Sequence, residues 1–303
     1  MVGSTVLVAG ATGDLGGRIT RALAERGALV RALVRHDASA SAGQRVSELG
    51  ADVVLADVSD VASVAAASRG VDCVVSALNG LRNVILDRHS VLLDAAVAMG
   101  TPRFISSDYS ADFATPPPGG NRNLDLRREF MGRADRAPIS VTTILNGAFM
   151  DLLGAEMIIQ PRLRRVLSWG SADQPLNSTT KDDVAAYPAA AALDTTTPRI
   201  LRVAGDTLSV RDLAQTLTRT TGHHYRPLRA GSIRSLGILI GLVKVLAPEP
   251  GAVFPAWQGM QYTRDMFSGR VRLAPLDNDR FPDVTFMSVL DTFAGVSLPL
   301  AVT

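Results

Sequence analysis

Lysine is nearly absent from this chain of 303 residues: 31 residues are basic, yet only Lys181 and Lys244 are lysines and the other 29 are arginines. No lysine precedes position 181, which excludes a lysine proton donor from the first 180 residues. Cysteine is reduced to Cys73, so no internal disulfide can form. Its place in the apolar run Val71-Asp-Cys-Val-Val75 marks a buried thiol in a reducing, cytoplasmic setting. The four histidines, His36, His89, His223 and His224, stand in no metal-ligand spacing, so no metal is expected. Excess charge is lacking too: the net charge is +2 and basic residues are scattered among acidic ones, which argues against a nucleic-acid partner. The longest interior apolar run, Ile233 to Ala247, contains Arg234 and Lys244 and is too short to span a bilayer. It reads as a buried helix or a lid over a pocket. The first apolar run is too short for an export signal, so no membrane partner is expected.

Hydrophobic residues make up 47% of the chain, enough for the core of one large domain or two intimately joined ones. The strongest local signal is Thr5-Val-Leu-Val-Ala-Gly-Ala-Thr-Gly-Asp-Leu-Gly-Gly17, an apolar run feeding directly into glycines at 10, 13 and 16. A dinucleotide pyrophosphate needs a strand that turns sharply into a helix, a backbone free of Cβ atoms near the phosphates, and free N–H groups at a helix N-terminus. Gly10 permits the turn, Thr12 and Gly13 lie against phosphate, Asp14 and Leu15 open the helix, and Gly16 allows it to pack closely on the sheet. The spacing is G-x-x-G-x-x-G rather than the commoner G-x-G-x-x-G. The second apolar run ends in Val34-Arg35-His36, where NAD sites commonly carry a carboxylate for the ribose 2′-hydroxyl. A guanidinium binds a 2′-phosphate through two parallel charge-assisted bonds, so NADP(H) is expected, with Arg35 as the main contact and His36 as a lesser one.

Short Val/Leu/Ile runs alternate with Ala-rich stretches, the pattern of βαβ units and a doubly wound parallel sheet of Rossmann type. Strands are predicted near 4–9, 28–34, 52–56, 72–76, 103–106 and 139–145, and helices near 14–26, 41–49, 60–68, 84–98 and 123–134. Ligands in such a sheet bind outside the carboxyl ends of the strands. The candidates there are Asp57 and Val58, then Ser76, Ala77, Leu78 and Asn79, then Ser106 and Ser107, then Asn146 and Gly147. Asp57 would accept from the adenine amino group or remain an exposed loop aspartate. Beyond Phe149 the alternation loosens, although 182–193 and 210–220 look helical and 198–204 looks like a strand. Residues 1–149, with 179–205 returning to them, are expected to form the NADP(H)-binding domain; 150–178 and 206–303 form a smaller substrate-binding part. Pro116-Pro-Pro-Gly-Gly120 marks a long loop beside the cofactor and a lid candidate.

Several segments together resemble the NmrA-like and isoflavone-reductase-like group of atypical short-chain dehydrogenases: Gly10-Ala-Thr-Gly-Asp-Leu-Gly16, Leu33-Val-Arg35, Pro102-Arg-Phe-Ile-Ser-Ser-Asp108, Asn146-Gly-Ala-Phe149 and Lys181-Asp-Asp-Val-Ala-Ala-Tyr187. The resemblance implies a Rossmann domain for NADP(H), a C-terminal substrate part, and either reduction of enone, benzylic ether, aldehyde or quinone substrates or sensing of the cofactor's redox state. The plant reductases of the group carry a lysine in the helix after the long loop. Here that helix reads Asn123-Leu-Asp-Leu-Arg-Arg-Glu-Phe130, so Asp125 or Arg127 occupies the neighbourhood. The Tyr-x-x-x-Lys pair of ordinary short-chain dehydrogenases is also missing, because Phe113 follows Tyr109 at that spacing.

Tyr109 is a candidate acid or an aromatic packed under the proline loop, Asp108 a turn cap or a chemical group, and His89 a pocket-facing relay or an exposed residue. Phe149, Met150, Trp257 and Tyr262 would suit an apolar, aromatic substrate or simply form core. Three functions fit: an NADPH-dependent reductase of a carbonyl or conjugated double bond in a small apolar molecule, with Tyr109, Asp125 or water as proton source and Arg127 or the Asn146-Gly147 turn positioning oxygen; a non-catalytic NADP(H)-sensing regulator of a partner protein; or a redox-neutral epimerase-type enzyme. A monomer or homodimer is expected. The cofactor preference is checked by titrating NADPH and NADH into wild type and Arg35→Ala: the variant loses affinity for NADPH by more than about tenfold and leaves NADH unchanged. Equal affinities in wild type contradict it.

Overall fold

The computed structural model describes residues 3–153 and 158–294. Seven strands form the main sheet: β1 (Thr5–Ala9), β2 (Leu29–Val34), β3 (Ala51–Leu55), β4 (Cys73–Ser76), β5 (Arg103–Ile105), β6 (Ser140–Leu145) and, returning late in the chain, β11 (Ile200–Arg202). Their order is β11-β6-β5-β4-β1-β2-β3 and every pairing is parallel. Strands buried on both faces need unbroken apolar runs, and Val6, Leu7, Val8, Cys73, Val74 and Phe104 are fully enclosed.

The crossovers are α1 (Asp14–Glu25), α2 (Ala40–Glu48), α3 (Val61–Ala67), α4 (His89–Ala98) and α5 (Arg122–Ala134). The predicted helix near 84–98 opens instead as a π turn over Asn83–Arg88. Later helices are α6 (Met150–Leu152), α7 (Lys181–Leu193), α8 (Val210–Thr221), α9 (Ile233–Leu246), α10 (Ala256–Phe267) and α11 (Val289–Phe293). α7 lies against α1 on the main sheet, and both share a core with β1 and β4. Its C-terminal carbonyls are gathered by Arg103 of β5, which donates to the carbonyl oxygens of Ala191 (2.9 Å), Asp194 (2.5 Å) and Ala192.

Beyond β6 only the strand near 200 is expected, yet two three-stranded sheets are present among the described residues. One holds β12 (Asp206–Leu208), β10 (Leu176–Thr179) and β7 (Ala148–Phe149); the other holds β13 (Arg226–Gly231), β9 (Arg165–Trp169) and β8 (Ile159–Gln160). They frame a separate core that includes Met150, Ile159, Val166, Leu213, Leu217 and Phe267. The expected burial of 233–247 is corrected: α9 buries only Leu236 and Ile240. Among the described residues no helix is long and apolar enough to cross a membrane, and no group of three His, Cys, Asp or Glu could hold a metal ion.

His89 is neither exposed nor open to a cleft. It is buried, its Nε2 lies 2.9 Å from Ser76 Oγ, and its ring packs 5.0 Å from that of Phe130. Burial, aided by the positive charge of Arg127, holds its pKa down to about 3. An unfolded histidine takes a proton near pH 6.5, so between those values the unfolded chain binds more protons and the native state weakens as pH falls. The slope is at most about 1.4 kcal/mol per pH unit. His89→Gln removes this titration while keeping a polar partner for Ser76. Its urea midpoint should therefore fall less steeply than that of wild type between pH 7 and 4.5, and parallel curves contradict the assignment.

Candidate functional site

The glycine turn joins β1 to α1 at the carboxyl edge of the sheet, and its three glycines answer to different constraints. Gly10 has φ +89°, and a Cβ there would lie 2.9 Å from the Ala77 carbonyl carbon and oxygen. A Cβ on residue 16 would lie 2.0 Å from the Gly10 carbonyl oxygen, so the packing of helix on turn requires glycine. Gly13 differs. It is the N-cap of α1 with ordinary extended dihedrals (φ −84°, ψ 167°), and a Cβ would meet only the Gly10 carbonyl oxygen at 3.3 Å.

A Cβ at 13 would ask the Gly10 carbonyl to give by a few tenths of an ångström, a milder demand than the fold makes at 10 or 16. Gly13 also supplies no side-chain cap, as at the starts of α4, α6 and α10, whereas α2, α3, α5, α7, α8, α9 and α11 are each capped by a Ser, Thr, Asp or Asn. The start of α1 thus presents its amides outward beside exposed Thr12, Gly13 and Asp14, which suits an anion.

Asp14 would repel that anion were it alone. Arg18 Nε (2.8 Å) and Lys181 Nζ (2.9 Å) hold its carboxylate and keep its pKa below the usual range. Lys181 also reaches Asp151 Oδ2 at 2.6 Å, and Arg18 pairs with Asp182. This network ties the turn to α7 and to the segment after β7. Sequence reasoning placed Lys181 only within a family motif and missed Arg18 and Asp151. The scarcity of lysine was the signal that could have found Lys181.

Arg35 and His36 are exposed just past β2, on the same sheet edge, with Arg35 Nε 3.3 Å from Asp37 Oδ1. Asp57 is exposed after β3, and the Ser59 hydroxyl, together with the Ser59 amide it accepts at 2.8 Å, lowers its pKa; Val58 beside it is buried. After β4, Ser76 is enclosed with His89, Ala77 and Leu78 are half-buried, and Asn79 is exposed. Thr12, Gly13, Arg35, Asp57 and Asn79 thus form an exposed rim along the ends of β1 to β4.

The candidates after β5 and β6 lie deeper. Ser106 and Ser107 are buried, and Ser106 donates to Asp108. Asp108 also accepts from Thr143 Oγ1 (2.8 Å), and Arg199 donates to that hydroxyl at 2.8 Å. Asp108 is a buried acceptor rather than a turn cap, and burial raises its pKa. Asn146 is fully enclosed with neither side-chain amide atom hydrogen-bonded among the described residues. Gly147 has φ +69°, and a Cβ would lie 2.3 Å from the Asn177 carbonyl oxygen, so β10 accounts for that glycine.

The proposed catalytic side chains do not converge. Tyr109 is buried in the core shared by β1, α1 and α7, with its hydroxyl unpartnered and its pKa pushed upward by burial. The residue packed with α5 near the proline loop is Phe113. Asp125 accepts from Arg128 NH1 (2.7 Å) and the Gly119 amide (3.0 Å), while Arg127, on another face of α5, is buried and donates to the Asn123 carbonyl at 3.2 Å. Asp125 and Arg128 line a cavity of about 340 Å³ with Pro116–Pro118, Arg264 and Arg270.

The four aromatic-pocket candidates are likewise dispersed. Phe149 packs on the main-sheet core, Met150 on the second core, and Tyr262 beside Phe113 and Leu124. Trp257 donates to the Pro248 carbonyl at 2.9 Å beneath the Arg122 guanidinium.

A doubly wound sheet with a glycine-rich first turn, an outward helix N-terminus and small accessory sheets defines a Rossmann-type nucleotide-binding class. The chain belongs to the NmrA-like family, whose model it matches over residues 3–230. It is 26% identical over 274 residues to pinoresinol reductase 1 of Arabidopsis thaliana, covering 82% of this chain and 83% of that one. Its fold superposes on AtPrR2 solved with NADP+ and (+)-pinoresinol (TM-score 0.79, 21% identity, 97% and 99% covered). It also superposes on leucoanthocyanidin reductase of Vitis vinifera solved with NADPH (0.79, 19%, 96% and 98%).

The contrast between the glycines is testable. Gly16→Ala forces overpacking against backbone and should destabilise by about 1–3 kcal/mol. Gly13→Ala should shift stability by less than about 1 kcal/mol while raising the dissociation constant for NADPH more than about tenfold. Urea unfolding and calorimetry separate the two, and unchanged binding in Gly13→Ala contradicts the reading.

Proposed function

We propose that the chain binds NADP(H) at the glycine turn and reduces a carbonyl or conjugated double bond in a small, largely apolar, aromatic molecule. The observation that carries this is Gly13, the glycine of the three that the fold constrains least, at a helix start without a side-chain cap and with Arg35 on the same sheet edge. The residues present fit the cofactor. The amides at the start of α1 hold the pyrophosphate, Arg35 the 2′-phosphate, and the orphaned amide of Asn146 offers one donor and one acceptor beneath the ends of β5 and β6. The cofactor supplies hydride. Family membership and the NADP(H)-bound reductases sharing the fold support the reading.

Proton delivery falls to water. The Tyr109 hydroxyl is buried and its pKa raised, the Asp125 carboxylate is engaged by a guanidinium and an amide, and Arg127 carries a guanidinium that does not deprotonate. These three side chains hold the core, the proline loop and α5. The substrate walls come from the described residues of 150–178 and 206–303; 154–157 and 295–303 lie outside the described residues.

The missing lysine also supports a second reading, a protein that senses the cofactor's redox state for a partner. Incubation with NADPH and a panel of aryl ketones, enones, quinones and benzylic ethers, followed by loss of reduced-nicotinamide absorbance, decides between them. Turnover is expected, with Asp125→Asn retaining it within about tenfold. Tight NADPH binding without turnover favours the sensor, and loss of turnover in a folded Tyr109→Phe contradicts the water route.

A further inference from the structure

The even mixture of charge along the chain breaks down in the accessory part. Residues 158–172 and 213–248 hold eight arginines and lysines and no acidic residue, whereas the other 23 basic residues share the rest of the chain with all 29 acidic ones. β9 and β13 bring these two segments together, pairing in parallel with Arg165 opposite Arg226 and Leu167 opposite Leu228. The Arg226 amide also donates to the Arg164 carbonyl at 3.2 Å, so Arg164, Arg165 and Arg226 adjoin. Between β8 and β9 the Arg164 amide closes a turn on the Pro161 carbonyl at 3.1 Å, leaving Arg162, Leu163 and Arg164 exposed at its tip.

The fold gains nothing from this concentration of charge. Among the described residues Arg162, Arg164, Arg165 and Arg226 have no ion pair. Like charges directly opposite in a strand pair repel. Arg164 stands at φ +51°, where glycine is the unstrained choice. Arginine on β13 would guard an edge strand against pairing with another chain, but β9 lies at the centre of its sheet, where that purpose does not apply. Apolar side chains accompany the charge. Leu163 at the tip is 63% exposed and Leu228 41%. Val166 and Ser168 point into the core, so Arg165, Leu167, Arg226 and Leu228 share the outer face of the sheet.

We propose that this hairpin tip and the adjoining outer face dock the protein on a membrane surface that carries anionic phospholipid. The guanidiniums meet the phosphate and carboxylate oxygens of the headgroups through paired, charge-assisted hydrogen bonds. Leu163 passes below them to the boundary of the acyl chains. A nucleic acid or an acidic peptide would answer the arginines alone and leave Leu163 in water. A lipid surface answers both.

Co-sedimentation of the full chain with vesicles tests this. Phosphatidylcholine vesicles with about 30% phosphatidylserine should carry wild type down in about 50 mM salt and release it in about 500 mM, while pure phosphatidylcholine should carry none. One arginine near such a surface is worth about fivefold in partitioning, so Arg162→Ala/Arg226→Ala should lower the partition coefficient about thirtyfold. Both side chains are exposed, so the urea midpoint of that variant should match wild type. Leu163→Ser should weaken binding severalfold and leave its salt dependence as in wild type. Wild type that stays in the supernatant with phosphatidylserine vesicles overturns the proposal. So does equal binding to neutral vesicles, a folded Arg162→Ala/Arg226→Ala that binds like wild type, or a DNA duplex or polyglutamate bound more tightly than the vesicles.

Discussion

Everything at the functional edge depends on how closely α1 approaches the turn that precedes it. The Gly10 carbonyl oxygen sits where a side chain on residue 16 would begin, and Gly10 itself lies against the Ala77 backbone. Two glycines are thus consumed in bringing helix, turn and the end of β4 together. Only with that packing achieved do the amides at the start of α1 face outward at the middle of the sheet, where β1 is flanked by β2 and β4. Parallel sheets gather their binding residues at one edge, and this contact decides which backbone stands at its centre. The ion pairs of Asp14 with Arg18 and Lys181 then neutralise the one acidic side chain the helix start carries.

The parallel sheet was legible to within a residue or two because its strands are short runs rich in Val, Leu and Ile, separated by glycine and polar turns. Its rim of exposed residues followed from the same rule. The accessory sheets were not legible. β7 and β8 have two residues each, and β13 carries Arg226, Pro227 and Arg229, so no alternation marks them as strands. They exist because distant segments pair, as β13 does with β9. The surroundings of several side chains were hidden for a related reason. Asp108 finds its partner in Thr143, and Trp257 lies beneath Arg122, contacts between segments far apart in the chain that no local pattern announces.

The shortage of lysine takes on a different meaning in three dimensions. The single lysine near the cofactor edge is committed to Asp14 and Asp151, and the acids and tyrosine nearest the family's lysine position are buried or engaged. In the proposed function a site so arranged binds and orients more than it donates protons. Such an economy suits hydride transfer to an acceptor whose product oxygen or carbon can be protonated from water. It also concentrates the distinguishing chemistry of the chain in how it holds its cofactor.

The role of the glycine turn rests on where a dinucleotide lies. A crystal structure of the wild-type protein soaked with NADPH measures this directly. The pyrophosphate is expected against the backbone amides from Thr12 to Leu15, within hydrogen-bond distance and in contact with the Gly13 Cα, with the 2′-phosphate on the Arg35 guanidinium. A pyrophosphate held elsewhere, or a 2′-phosphate turned to solvent away from Arg35, would contradict it.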